Sequence, residues 1–123
     1  MRKVQIILQM LLGLVFLTFG LNKFIGFIPI PQLGESATNF MMALGSTGYM
    51  FPVIGVLEVL CGLSLLTNKY TAISLLLLAP ITFNILGFHL ALDQGGLIIS
   101  VVMTLIHLYL IYDSKDKYKP LLK

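Results

Sequence analysis

Four long apolar runs constrain this chain more than any other feature. The first extends from Val4 to about Ile28 and is stopped by Pro29 and Pro31. The others cover about Tyr49 to Thr67, about Ala72 to Leu92 and about Gly96 to Tyr112. Each approaches the roughly 20 residues a helix needs to cross a hydrocarbon core. Only 11% of the 123 residues are charged and 58% are hydrophobic, too little polar surface for a soluble domain of this size. In lipid, backbone hydrogen bonds must close within each segment, so helices are the expected elements. The chain therefore reads as all-α, a single four-span transmembrane domain over residues 1–123, arranged as an antiparallel four-helix bundle.

Arg2 and Lys3 precede the first run, as basic residues precede a signal peptide. The run is longer than such a core, and no small-x-small cleavage site follows, so a membrane span is expected instead. Asn68-Lys69 and Asp93-Gln94-Gly95-Gly96 supply the turns between spans two and three and between three and four. The one long connection, roughly Pro29 to Gly48, contains ATNFMMAL, a short helical pattern ending at Gly45. Phe40, Met41 and Leu44 lie on one of its faces, which predicts an interfacial helix in the outer loop between helices one and two.

Basic residues set the expected orientation. With an even number of spans both termini share a side, and that side holds seven of the eight lysines and arginines; only Lys23 falls elsewhere. This asymmetry places both termini in the cytoplasm of a multi-pass inner-membrane protein. The net charge of +3 then serves topology and attraction to lipid headgroups. The tail SKDKYKPLLK carries no reading motif, so no nucleic-acid partner is expected.

Ionisable groups inside spans are costly, about 2.5–3.5 kcal/mol each on insertion scales, and need partners. Lys23 lies in span one and Glu58 in VIGVLEVLCGLSLL of span two. If the first span runs outward and the second returns, both fall in the outer half, where they are expected to pair. Gly13, Gly20 and Lys23 share one helix face, as do Gly55, Glu58 and Gly62, so each face combines small residues with one charge of opposite sign. Asn22 adjoins Lys23 and could add a hydrogen bond. Such a pair can act as architecture that fixes packing, or as a ligand or proton site; alternatively Lys23 snorkels to the headgroups and leaves Glu58 neutral.

Span three carries Pro80, Asn84, Gly87 and His89. Asn84 and His89 stand about 140° apart on a helix and cannot share a narrow face. Asn84 reads as an interhelical hydrogen bond, and His89 as a partner of Asp93 four residues on. Ser100, Thr104 and His107 form a stripe on span four that should face the bundle, with His107 in a helix–helix hydrogen bond. Cys61 stands alone and reads as a small core residue, since one thiol forms no internal disulfide. Two histidines at opposite membrane levels make no metal site, and no catalytic triad, phosphate loop or cofactor-attachment motif is present, so the catalytic residues, if any, are unknown.

The ordered pieces LLGLVFLTFGLNKF, FMMALGSTGYMFPVIGVLEVLCGLSLL, LLLLAPITFNILGFHL and YKPLL span nearly the whole chain. Together they resemble the DoxX-like family of small four-helix membrane proteins. The polar positions matched by that resemblance are Asn22, Lys23, Glu58, Asn84 and His89. The resemblance implies a range of roles: a membrane subunit of a thiosulfate:quinone oxidoreductase, an assembly chaperone, or a member of a redox-stress complex. The chain departs from a redox role in lacking a haem-ligand pair across facing helices, a cysteine pair and a soluble domain.

Three functions are therefore weighed. The first is a non-catalytic subunit that binds or assembles a membrane-protein partner, with homo-oligomers also in reach. The second is a quinone- or lipid-binding subunit of an oxidoreductase complex, its ligand held beside Glu58, Asn84 and His89. The third, a small transporter, is disfavoured because a four-helix chain has little room for a pore and inverted repeats are not evident. No cofactor is expected under the first reading.

Overall fold

The computed structural model describes residues 2–26 and 33–122. Among them the chain is all-α. Helix α1 covers Arg2–Ile25, α2 Glu35–Ser46, α3 Met50–Thr67, α4 Thr71–Ala91, α5 Leu97–Asp113 and α6 Lys115–Tyr118, with 3-10 turns at Gln94–Gly96 and Lys119–Leu122. Four of these, α1, α3, α4 and α5 with its preceding turn, are long and apolar enough to cross a membrane. The first ends earlier than its apolar run suggests: Gly26 adopts φ 70°, a left-handed conformation that closes the helix. Residues 27 and 28, and the two prolines expected to stop the span, lie outside the described residues.

The turn after α3 shows how local chemistry sets a boundary. Asn68 takes the left-handed conformation at φ 58°, its N–H donates to the Leu65 carbonyl, and the Lys69 N–H reaches back to the Ser64 carbonyl. This is a Schellman closure, with asparagine in the place usually given to glycine. The Ser64 hydroxyl donates to the Lys69 carbonyl and ties the same turn. At the other end of α3, the Thr47 hydroxyl accepts from the Met50 N–H at 3.1 Å. Helix α4 continues through Pro80, which has no N–H to give the Leu76 carbonyl.

The most extensive helix contact joins α1 to α3, followed by α4 to α5 and α3 to α4. Glycine permits the first. A Cβ added at Gly62 would lie 2.8 Å from the Leu17 backbone nitrogen and 2.9 Å from the Gly13 carbonyl oxygen. At Gly20 it would meet the backbone nitrogen of Val59 at 2.9 Å, and at Gly55 the Phe24 ring at 2.8 Å. The two backbones are in contact, as small-residue helix faces allow. The core fills the remaining space with Leu12, Phe16, Cys61, Leu65, Leu75, Leu78, Met103 and Leu110. Cys61 is a buried free thiol inside that cluster.

The short α2 appears where the ATNFMMAL pattern places it. Glu35 sits in its first turn, where a carboxylate complements the helix dipole. Ala37 is buried, and the Phe40 ring packs on Phe88 of α4 with centroids 5.5 Å apart. Met41 and Met42 remain exposed.

Candidate functional site: polar groups within an apolar bundle

Among the described residues, Glu58 is the one buried carboxylate, at 1% exposure. Its Oε1 stands 2.6 Å from Lys23 Nζ. The helix faces explain the meeting. Gly20 of α1 lies against Glu58 and Val59, while Gly55 of α3 lies against Lys23 and Phe24. Each glycine brings the partner helix close enough for the neighbouring charge to reach across. The pair is lopsided: the Glu58 side chain is 2% exposed and that of Lys23 22%. The carboxylate is thus an interior group closed off by a lysine at the boundary. Asn22 adjoins it on α1, half-buried.

The other two residues matched by the resemblance lie apart from this pair. Asn84 does not bond across helices. It sits on an exposed face of α4 and its Nδ2 donates to its own helix, to the Pro80 carbonyl at 2.8 Å. His89 turns to the end of the same helix, with Nδ1 2.9 Å from the Asp93 carbonyl oxygen and 3.3 Å from Asp93 Oδ2, the expected partner. The ring packs so closely on Gly96 that a Cβ there would come within 2.7 Å of Nδ1. His89 and Asp93 border a cavity of about 510 Å3, whose apolar wall includes Phe19, Ile85, Ile99 and Met103 and whose polar wall includes Ser100. Neither Lys23, Glu58 nor Asn84 lines it.

His107 is a completed hydrogen-bonding unit. It is buried, with Nε2 2.8 Å from the Leu75 carbonyl oxygen and Nδ1 2.8 Å from the Thr82 hydroxyl. A neutral ring satisfies both: Nε2–H donates to the carbonyl, and Nδ1 accepts from Thr82. The contact locks α5 to α4 by two bonds to residues about two helix turns apart on α4, and Phe16 of α1 meets the same ring edge-on. Ser100 and Thr104, on the same stripe, instead donate to carbonyls of their own helix, at Leu97 and Ser100.

Three buried polar residues, Gln9, Ser74 and Thr82, are not among the polar positions that the sequence singles out. Gln9 of α1 is buried, and its Nε2 donates to the Leu65 carbonyl and to Asn68 Oδ1, both at 2.9 Å. The sequence held the signal: Gln9 precedes Gly13 by one helical step of four, on the face already marked by Gly13 and Gly20. Gln9 opens onto a second cavity, about 550 Å3, bordered by Gln5, Asn68, Thr71, Asp113 and Lys117. Nearby, the Tyr118 hydroxyl donates to the Ala72 carbonyl at 2.6 Å and ties the C-terminal segment to the start of α4. Burial pushes that phenol above its usual range. Among the described residues, no three His, Cys, Asp or Glu side chains gather as a metal-binding group.

No family model matches the chain, and no curated protein and no solved structure matches it.

Proposed function

We propose that this chain is a four-span inner-membrane protein of the DoxX-like kind, an antiparallel bundle with both termini cytoplasmic, acting as a non-catalytic partner-binding, assembly or accessory subunit. The observation that carries this reading is that the chemistry buried in the spans is already spent. Glu58 is closed by Lys23, and His107 is shared between Thr82 and Leu75. Neither group borders either cavity. An acid, base or ligand-holding group needs a free side toward its substrate; both ring nitrogens of His107 are taken, and the buried Glu58 carboxylate has Lys23 across its Oε1. Such closed contacts serve to fix one packing of the helices.

The membrane part of the proposal draws on the helix surfaces. Between 22% and 28% of each candidate span is buried within the protein. The rest presents Leu60, Phe83, Ile98, Ile99 and Leu105 outward, a surface suited to hydrocarbon. Opposite directions of α1 and α3 are supported by their paired residues, whose numbers climb along α1 from Gln9 to Lys23 and fall along α3 from Leu65 to Gly55. The cytoplasmic assignment rests on the basic residues. Helix α2, with Phe40 and Met41 exposed, would then lie at the outer interface.

A second reading, a quinone- or lipid-binding subunit, is favoured by one observation: the mostly apolar cavity beside His89 and Asp93. Native mass spectrometry of the protein extracted gently from its own membrane separates the two. A stoichiometric protein partner, retained equally by wild type and Glu58→Gln, is the expected result. A retained quinone or lipid lost on His89→Leu would establish the second reading in its place.

A further inference from the structure

The glycines in the spans divide by use. Gly13, Gly20, Gly55 and Gly62 all face a neighbour that leaves no room for a Cβ. Gly87 of α4 faces nothing: an added Cβ would find no atom within 4 Å. It belongs to a longer pattern. Ile73, Leu77, Pro80, Asn84, Gly87 and Ala91 follow one another at steps of four and three along α4, and every one of them is exposed except for the helix they sit on. Steps of four and three keep residues on one face of a helix, and such a face becomes a seam where a facing helix packs on it. The seam is unoccupied within the chain, because α4 turns its buried residues Ser74, Leu75, Leu78 and Thr82 toward α3 and α5.

Asn84 lies inside this seam, fourteenth of the 21 residues of α4. One of its amide protons goes to the Pro80 carbonyl. Its Oδ1 and second proton have no partner among the described residues. An amide in hydrocarbon gains from a partner on another helix. With one amide proton held by Pro80, the group keeps one donor and its carbonyl oxygen, and a second carboxamide satisfies both at once. A two-fold axis through the seam supplies one from the same position. Gly87 and Ala91, immediately beyond, allow the two backbones to approach there, and Phe83 and Leu90 flank the contact as an apolar rim.

We infer that α4 is a homodimer interface in which Asn84 of one protomer hydrogen-bonds to Asn84 of a second copy. The inference rests on the membrane-spanning reading, since the same face in water would have other partners. Two copies inserted with the same orientation bring the two α4 helices together in parallel, so equal positions meet. A single polar residue in such a seam fixes register and oligomeric state.

The test uses the full chain in its native membrane, in a Cys61→Ala background. Oxidation should join copies carrying Ala91→Cys and leave monomeric those carrying Leu105→Cys, on the exposed face of α5. In lipid vesicles, fluorescence energy transfer across a dilution series gives the dissociation constant. Asn84→Leu is expected to weaken the dimer about 3- to 15-fold. Asn84→Gln should restore most of the loss, because it keeps donor and acceptor. Gly87→Ile should weaken it further by separating the helices. A carbonate-resistant protein that stays monomeric at every density, crosslinks equally from α5, or joins only to a different protein through Ala91→Cys overturns the inference while leaving the membrane reading intact. Release of the protein by alkaline carbonate would overturn both.

Discussion

At the scale of single residues, the Lys23–Glu58 contact invites the sharpest test. A partner left alone in a buried position typically costs about 3–5 kcal/mol. Lys23→Met should fall in that range, because it strands a carboxylate whose side chain is 2% exposed. Glu58→Leu should cost less, because Lys23 is 22% exposed and can extend its ammonium outward. The double change Lys23→Met with Glu58→Leu should sit closer to wild type than Lys23→Met alone, by about 2 kcal/mol or more. Unfolding in mixed micelles measures all four proteins. A double mutant no better than Lys23→Met would end the case for coupling. The pair was legible in the sequence because two opposite charges, each flanked by glycine at helical spacing, stood out in apolar runs. The His89–Asp93 contact was equally legible, from a spacing of four. The position of Asn84 was not, because sequence spacing tells which face of a helix a residue occupies and not which face is covered.

Helix packing supplies a contrast between two glycines of the same chain. Gly62→Ala forces a methyl to 2.8 Å from the Leu17 backbone nitrogen, and a backbone cannot rotate away as a side chain can. The expected loss is about 1–3 kcal/mol, with α1 and α3 moving apart. Gly87→Ala meets nothing in the protomer. In enough excess detergent to hold monomers it should stabilise by about 0.5–1 kcal/mol, the usual gain of alanine over glycine within a helix. Thermal unfolding of both variants in the same detergent checks the pair; equal effects would mean that the α1–α3 approach is not set by Gly62. The helices themselves were legible nearly to the residue for α3, α4 and α5, since polar turns bound their apolar runs. The end of α1 was less legible, because Gly26 is apolar by composition yet ends the helix by its backbone conformation.

For the whole molecule, the distribution of lysine and arginine makes a topological prediction. In a Cys61→Ala background, a cysteine at Lys117 should react with a membrane-impermeant maleimide only after the cytoplasmic face is opened, whereas one at Glu35 should react in intact spheroplasts. The reverse pattern would invert the proposed orientation, and labelling of both from outside would mean an even number of crossings between them instead of three. The two cavities fall on opposite sides of this arrangement. That beside Gln9 and Asn68 borders the termini, and that beside His89 and Asp93 borders the loop side.

The helical class, the four long apolar segments, the short helix in the long connection and the meeting of Lys23 with Glu58 are written in the amino-acid order alone. Each follows from quantities written along the chain: hydropathy, helical period and the cost of an unpaired charge in an apolar medium. Which polar groups are consumed and which are left over depends on how the helices pack. Gln9 and His107 are taken up because neighbouring helices bring carbonyls and hydroxyls to them, whereas Asn84 stays outward because α3 and α5 cover the other side of α4. Burial is a property of neighbours, and a single helix repeats its faces without saying which of them the rest of the chain will cover.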